Sequence, residues 1–122
     1  MQYLYVGLGG VCGACLRYFF FVILQNKSVG LPTLAVNVLG CALLGLALGF
    51  LDLKYHLPEN LKLFLVTGFV GSFTTFATFI ADASLLLEKD EILWSLGYTA
   101  LSVLLGGLSY WAVVWLLDPG RL

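Results

Sequence analysis

Gly68-Phe69-Val70-Gly71-Ser72-Phe73-Thr74-Thr75-Phe76-Ala77-Thr78-Phe79 gathers two glycines, four hydroxyl side chains and four phenylalanines into twelve residues. It stands within an apolar run from about Leu61 to Leu87, long enough to cross the ~30 Å hydrocarbon layer of a bilayer as a helix. Glycine and β-branched threonine are nevertheless weak helix formers. In a bilayer, backbone that leaves the helix survives only where protein or a lined cavity satisfies it, and transporters use such breaks to offer carbonyls to cations. The stretch therefore predicts a membrane span that breaks near Gly71 to Thr75.

Three more apolar runs qualify as spans: about Tyr3 to Leu24, about Thr33 to Leu51 and about Ile92 to Leu117. Of the 122 residues, 61% are hydrophobic and 11% charged, and the mean hydropathy is +0.99. A soluble domain is nearer half apolar and a quarter charged, so lipid must cover this surface. The expected fold is a single all-α integral membrane domain over residues 1–122, with four transmembrane helices and a break in the third. The first run follows no basic segment, is too long for a signal-peptide core and shows no small-residue cleavage site, so it is expected to stay in the mature protein.

The formal charge is −1 and the six basic residues are scattered, which removes nucleic acid from the partners to consider. Cys12, Cys15 and Cys41 all fall inside apolar stretches. Cys12-Gly-Ala-Cys15 has the spacing of a redox pair, but that chemistry needs a helix N-terminus in water to stabilise a thiolate. Small polarizable packing residues are the expectation. His56 sits beside Pro58 in a polar turn and takes no role.

Four spans put both termini on one side, with Lys54, Lys62 and Arg121 there and Lys27 and Lys89 opposite. Arg17, near the end of the first span, makes the tally three against three. Basic loop residues set orientation, so this chain has almost no preference and can insert both ways, which permits antiparallel dimers. Gly9 with Gly13, Gly45 with Gly49, and the Gly106-Gly107 pair have the spacing that lets helix backbones approach closely.

Polar residues in lipid are costly and usually face protein or a wet path. Here they are Arg17, Asn37, the cluster from Ser72 to Thr78, Asp82, Tyr98, Ser102 and Ser109. Arg17 suits either an interfacial anchor that snorkels or an attractive charge at an anion vestibule. Asp82, the one carboxylate within a span, can pair with a basic or hydroxyl group. Phe76 and Phe79 share a helical face. That spacing suits core packing, and it also suits a pore wall, because an aromatic ring presents a positive edge to a small anion. Tyr98, Ser102, Gly106 and Ser109 form one stripe on the last span, compatible with a weakly polar path; spacing alone does not name the solute.

The third-span stretch closely resembles the signature of the Fluc (CrcB) fluoride channels. The likeness extends to Gly9-Gly10-Val-Cys-Gly13-Ala14-Cys-Leu-Arg17-Tyr18 in the first span, Thr33-Leu-Ala-Val-Asn37-Val-Leu-Gly40 in the second and Tyr98-Thr-Ala-Leu-Ser102 in the fourth. The resemblance implies a fluoride-specific passive channel, not an enzyme, that exports cytoplasmic fluoride across the plasma (bacterial inner) membrane. It implies an antiparallel, dual-topology homodimer with two pores, although some members pair unlike subunits. It places Asn37, Thr75, Phe76, Thr78, Phe79, Tyr98 and Ser102 along the fluoride path and Arg17 at the vestibule. It also implies a structural sodium ion, not transported, held by backbone carbonyls of Gly71 and Thr74 from both subunits. This chain departs from the family pattern in having Gly71-Ser72 for Gly-Gly, Ala77 for serine and Asp82 for glutamate. Ala77 puts in question a hydroxyl at that position.

Two other readings fit less well. A small multidrug antiporter has similar length and span number but needs a carboxylate in its first span, where this chain has Arg17 and no acid. A non-transporting assembly subunit leaves the third-span polar cluster without a purpose. No nucleophile, base and orienting group can be assembled for an enzyme.

Overall fold

Away from water, a long apolar segment has to satisfy its backbone internally, and the helix is the simplest way to do it. The computed structural model of the protein describes residues 1–121, which are helical without a strand. Helix α1 is Gln2–Leu24, α2 is Leu31–Tyr55, α3 covers residues 59–73, α4 is Phe76–Glu88 and α5 is Ile92–Leu117. Helices α3 and α4 lie in one span, Glu59–Glu88, so four segments are long and apolar enough to cross a membrane.

Two boundaries differ from expectation. The second span begins at Leu31, because Gly30 turns the chain at φ 79° and Pro32 occupies the first turn, where its missing N–H is no loss. It also runs past Leu51 to Tyr55, through π-helical turns at Gly45–Asp52, and stops at His56, which is left-handed at φ 52°. A second π-helical stretch, Leu63–Val70, lies in α3.

Helix α1 packs chiefly along Leu63–Val70 and Gly71–Phe73, while α2 lies against α5, and α4 leans on α5. The glycines set both main contacts. A Cβ on Gly9 would strike the Phe64 carbonyl, and one on Gly13 the Phe69 carbonyl. On the other side Gly45 and Gly49 lie against Tyr110 and Val114, and Gly106 against Cys41. Gly107 has open space around it, so only one glycine of that pair serves internal packing. The cysteines divide similarly: Cys41 is half-buried, but Cys12 and Cys15 are exposed on α1 rather than packed inside.

Few side chains are fully enclosed; Phe73, Val36, Val114 and Thr33 form the centre. Large apolar side chains such as Leu93, Val103 and Leu116 face outward, as they should where lipid is the solvent.

Candidate functional site

The break falls at Thr74 and Thr75, within the expected window but at its far end; Gly71–Phe73 is still helical. Thr74 and Thr75 are extended, with ψ 159° and ψ 115°, a conformation that β-branched side chains accept readily. Glycine weakens the helix at Gly71, yet the chain leaves it only where a replacement partner exists.

That partner is Asn37 on α2. Its Nδ2 donates to the Thr75 carbonyl at 3.0 Å, and its Oδ1 accepts the Thr75 N–H at 2.8 Å. The side-chain amide thus replaces the backbone bond lost by the Thr75 N–H and adds a bond to the Thr75 carbonyl, which also stands at the N-cap of α4. The N–H that a continuous helix would aim at the Gly71 carbonyl goes to Asn37 instead. On the other flank, Arg17 Nη1 donates to the Thr74 carbonyl at 3.4 Å. Thr74 itself bonds back to the Val70 carbonyl through its N–H and its hydroxyl, both at 3.0 Å. The Thr74 methyl sits where a Cβ on Gly40 would be, so α2 needs glycine beneath the break.

Thr75 also starts α4. Its Oγ1 accepts the Thr78 N–H at 3.3 Å and lies 3.0 Å from Thr78 Oγ1, an N-cap that satisfies one of the new helix's free donors. From there Phe76, Phe79 and Tyr98 form a row, with ring centroids 5.8 Å and then 5.5 Å apart. The two phenylalanines share a face as expected but differ in surroundings: Phe76 is 74% exposed and Phe79 is 9% exposed. Phe73, stacked with Phe69 and edge-on to Phe20, belongs to the core.

Beyond the rings, Asp82 Oδ2 accepts the Thr33 hydroxyl at 2.5 Å and the Tyr98 hydroxyl at 3.4 Å. Thr33, 1% exposed, was not singled out by its sequence neighbourhood; the signal was the solitary intramembrane carboxylate, which requires a donor. Ser102 donates to the Tyr98 carbonyl of its own helix at 2.7 Å. Ser109 donates toward the Val38 carbonyl at 2.9 Å, an inter-helix contact, and toward Gly106 at 2.8 Å. The hydroxyls of the α5 stripe below Tyr98 are therefore directed at carbonyls.

Two recesses flank the break. One of about 600 Å³ is bordered by Arg17, Tyr18, Gln25, Thr75 and Thr78, and one of about 260 Å³ by Asn37, Gly40, Thr74, Thr75 and Phe76. Arg17 thus borders the larger recess while bonding to the broken backbone. Among the described residues no group of three or more His, Cys, Asp or Glu side chains could hold a metal ion.

Comparison with known proteins gives one consistent answer. The family model described as CrcB-like protein, Camphor Resistance (CrcB), matches residues 4–114. A protein from Flavobacterium psychrophilum is 38% identical over 111 residues, covering 88% of this chain and 89% of its own. One from Rhizobium etli is 40% identical over 116 residues, covering 93% and 90%. One from Ignicoccus hospitalis is 42% identical over 106 residues, covering 86% and 85%. Each of the three is named a fluoride-specific ion channel FluC.

Proposed function

The chain belongs to the CrcB-like family, and we propose that it conducts fluoride passively out of the cell across the plasma membrane. Its relatives are named as ion channels rather than enzymes. The observation that carries the reading is the Asn37–Thr75 pairing beside the Phe76, Phe79 and Tyr98 rings, inside a membrane span. It puts polar donors, recesses and aromatic rings together at membrane depth, with Arg17 as the nearby positive charge.

Fluoride is strongly hydrated, so its passage needs substitutes for the water it leaves behind. The remaining Nδ2 hydrogen of Asn37, the Thr75 and Thr78 hydroxyls and the positive edges of Phe76 and Phe79 are weak positive ends in series. Weak sites let an ion enter and leave, whereas a fully offered cationic side chain would hold it. Arg17, tied to the Thr74 carbonyl, raises anion concentration at the vestibule without standing in the path. Tyr98 and Ser102 continue the proposed route on α5 as side chains along its wall, their hydroxyl protons being given to Asp82 and to the Tyr98 carbonyl.

An antiparallel, dual-topology homodimer with two pores is part of the proposal. Its support is the balance of basic residues, Lys54, Lys62 and Arg121 against Arg17, Lys27 and Lys89. A structural sodium ion is also part of it. The donors fit a hard cation: Gly71 is exposed and its carbonyl has lost its helical N–H partner to Asn37, and the Thr74 carbonyl, which accepts Arg17 Nη1 at a long 3.4 Å, keeps a second lone pair. When bound, sodium would supply a fixed positive charge close to the anion route. The carbonyls of Gly71 and Thr74 would hold it.

Purified protein in fluoride-loaded liposomes, followed with a fluoride electrode, tests the reading. Fluoride should leave down its gradient once an ionophore balances the charge, with no need for a proton gradient. Release that occurs only with proton exchange, or none at all, would overturn it.

A further inference from the structure

The two recesses beside the break have a single bordering residue in common, Thr75. Its peptide N–H and carbonyl are both committed to Asn37. The hydroxyl is therefore the one polar group with which Thr75 can address an anion on either side. That hydroxyl is paired with Thr78 Oγ1 at 3.0 Å and accepts the Thr78 N–H at 3.3 Å. Thr78 borders the larger recess and not the smaller.

Counting protons gives the consequence. Two hydroxyls carry two protons, but the pair shares one hydrogen bond, so one proton is always left to donate. When Thr75 donates to Thr78, the free proton is on Thr78 and serves the Arg17 recess. When Thr78 donates to Thr75, the free proton is on Thr75, which borders both recesses. Exchange needs only rotation of two C–O bonds, a fast local motion. A hydroxyl that accepts one hydrogen bond is also a stronger donor for the next.

We propose that Thr75 and Thr78 act as one switchable donor that hands a small anion from the Arg17 recess to the Asn37–Phe76 recess. The proposal rests on the fluoride-channel reading and deepens it by assigning the hand-over point. No proton leaves the protein; only the direction of the shared hydrogen bond changes. The pair differs from two independent ligands in a measurable way, because removing either hydroxyl destroys the hand-over as completely as removing both.

The test compares fluoride efflux from liposomes carrying wild-type protein, Thr75→Val, Thr78→Val, the double valine variant, Thr75→Ser and Thr78→Ser. Each single valine variant should lose about tenfold or more in flux, and the double variant no more than the worse single, as for residues that act as a unit. The serine variants, which keep the hydroxyl, should retain most of the flux. If Thr75→Val does not elute as the wild type does, Thr75→Asn replaces it, since asparagine keeps a capping oxygen without a hydroxyl; it too must lose flux. Near-normal flux in the single variants, or a double variant whose loss is the product of the two singles, overturns the hand-over while leaving the channel reading intact. A wild-type protein that passes no fluoride removes both.

Discussion

Residues 59–73 and residues 74–79 lie in the same span and are held by opposite means. Helix α3 lies against α1 through bare backbone, with Gly9 and Gly13 admitting the chain at Phe64 and Phe69. A few residues later the backbone leaves the helix and is held by polar side chains, Asn37 from α2 and Arg17 from α1. In lipid there is no hydrophobic force between helices, so a structural seam relies on close contact. An opened backbone, by contrast, requires a donor and an acceptor for each group it frees. The contrast separates what builds the span from what the span does: the seam carries no chemistry, and the break gathers nearly all of it.

The largest effect should come from closing the seam to its partner. Gly13→Leu puts a side chain into the Phe69 carbonyl, an overpacking without slack that costs on the order of 3 kcal/mol. Size-exclusion chromatography in detergent should show loss of folded protein. A variant that elutes and conducts normally would mean that the seam is not structural.

Next in size are the two phenylalanines, which sharpen the contrast inside the break itself. Isoleucine keeps bulk and removes the ring quadrupole. Phe76→Ile and Phe79→Ile should each lose most fluoride flux, but thermal stability should fall mainly for Phe79, the buried one, by about 1 kcal/mol. Normal flux through both variants would falsify the aromatic pathway and return the rings to packing.

Smaller again is Thr33→Val. It deprives Asp82 of its 2.5 Å donor and should lower the melting temperature slightly, a single side-chain hydrogen bond being worth about 0.5–1 kcal/mol. Thr33→Ser should be close to wild type in the same melting assay. Equal melting of the valine variant would show that Tyr98 alone suffices for Asp82.

The four spans were legible in the sequence because apolar runs of this length have one use. The break was legible as well, since Gly71 and the threonines weaken a helix locally. Its position within the window was not, because Asn37, on a different helix, decides which peptide is released. The same distance hid the role of Asn37. Placed along the fluoride path by the family resemblance, it has one amide hydrogen and its oxygen occupied by Thr75. The common face of Phe76 and Phe79 follows from helical spacing, but their unequal exposure depends on how α4 sits on α5, where Ser95 bonds the Ala83 carbonyl at 2.8 Å and Tyr98 covers Phe79. The π-helical turns at Gly45–Asp52 and Leu63–Val70 left no local pattern to read.

The pinned break is tested most directly by fluoride efflux from liposomes carrying Asn37→Ala beside the wild type, with chloride-loaded vesicles in parallel. Alanine leaves the Thr75 N–H without its partner, at about 1–3 kcal/mol, while the Thr75 carbonyl, at the N-cap of α4, can still accept a bond from that helix. If the break is the conducting element, the wild type should release fluoride and retain chloride, and the variant should lose at least about tenfold in fluoride flux, the equivalent of roughly 1.4 kcal/mol in the barrier, while still eluting like the wild type. Wild-type fluoride flux through Asn37→Ala, or equal release of chloride and fluoride by the wild type, would contradict it.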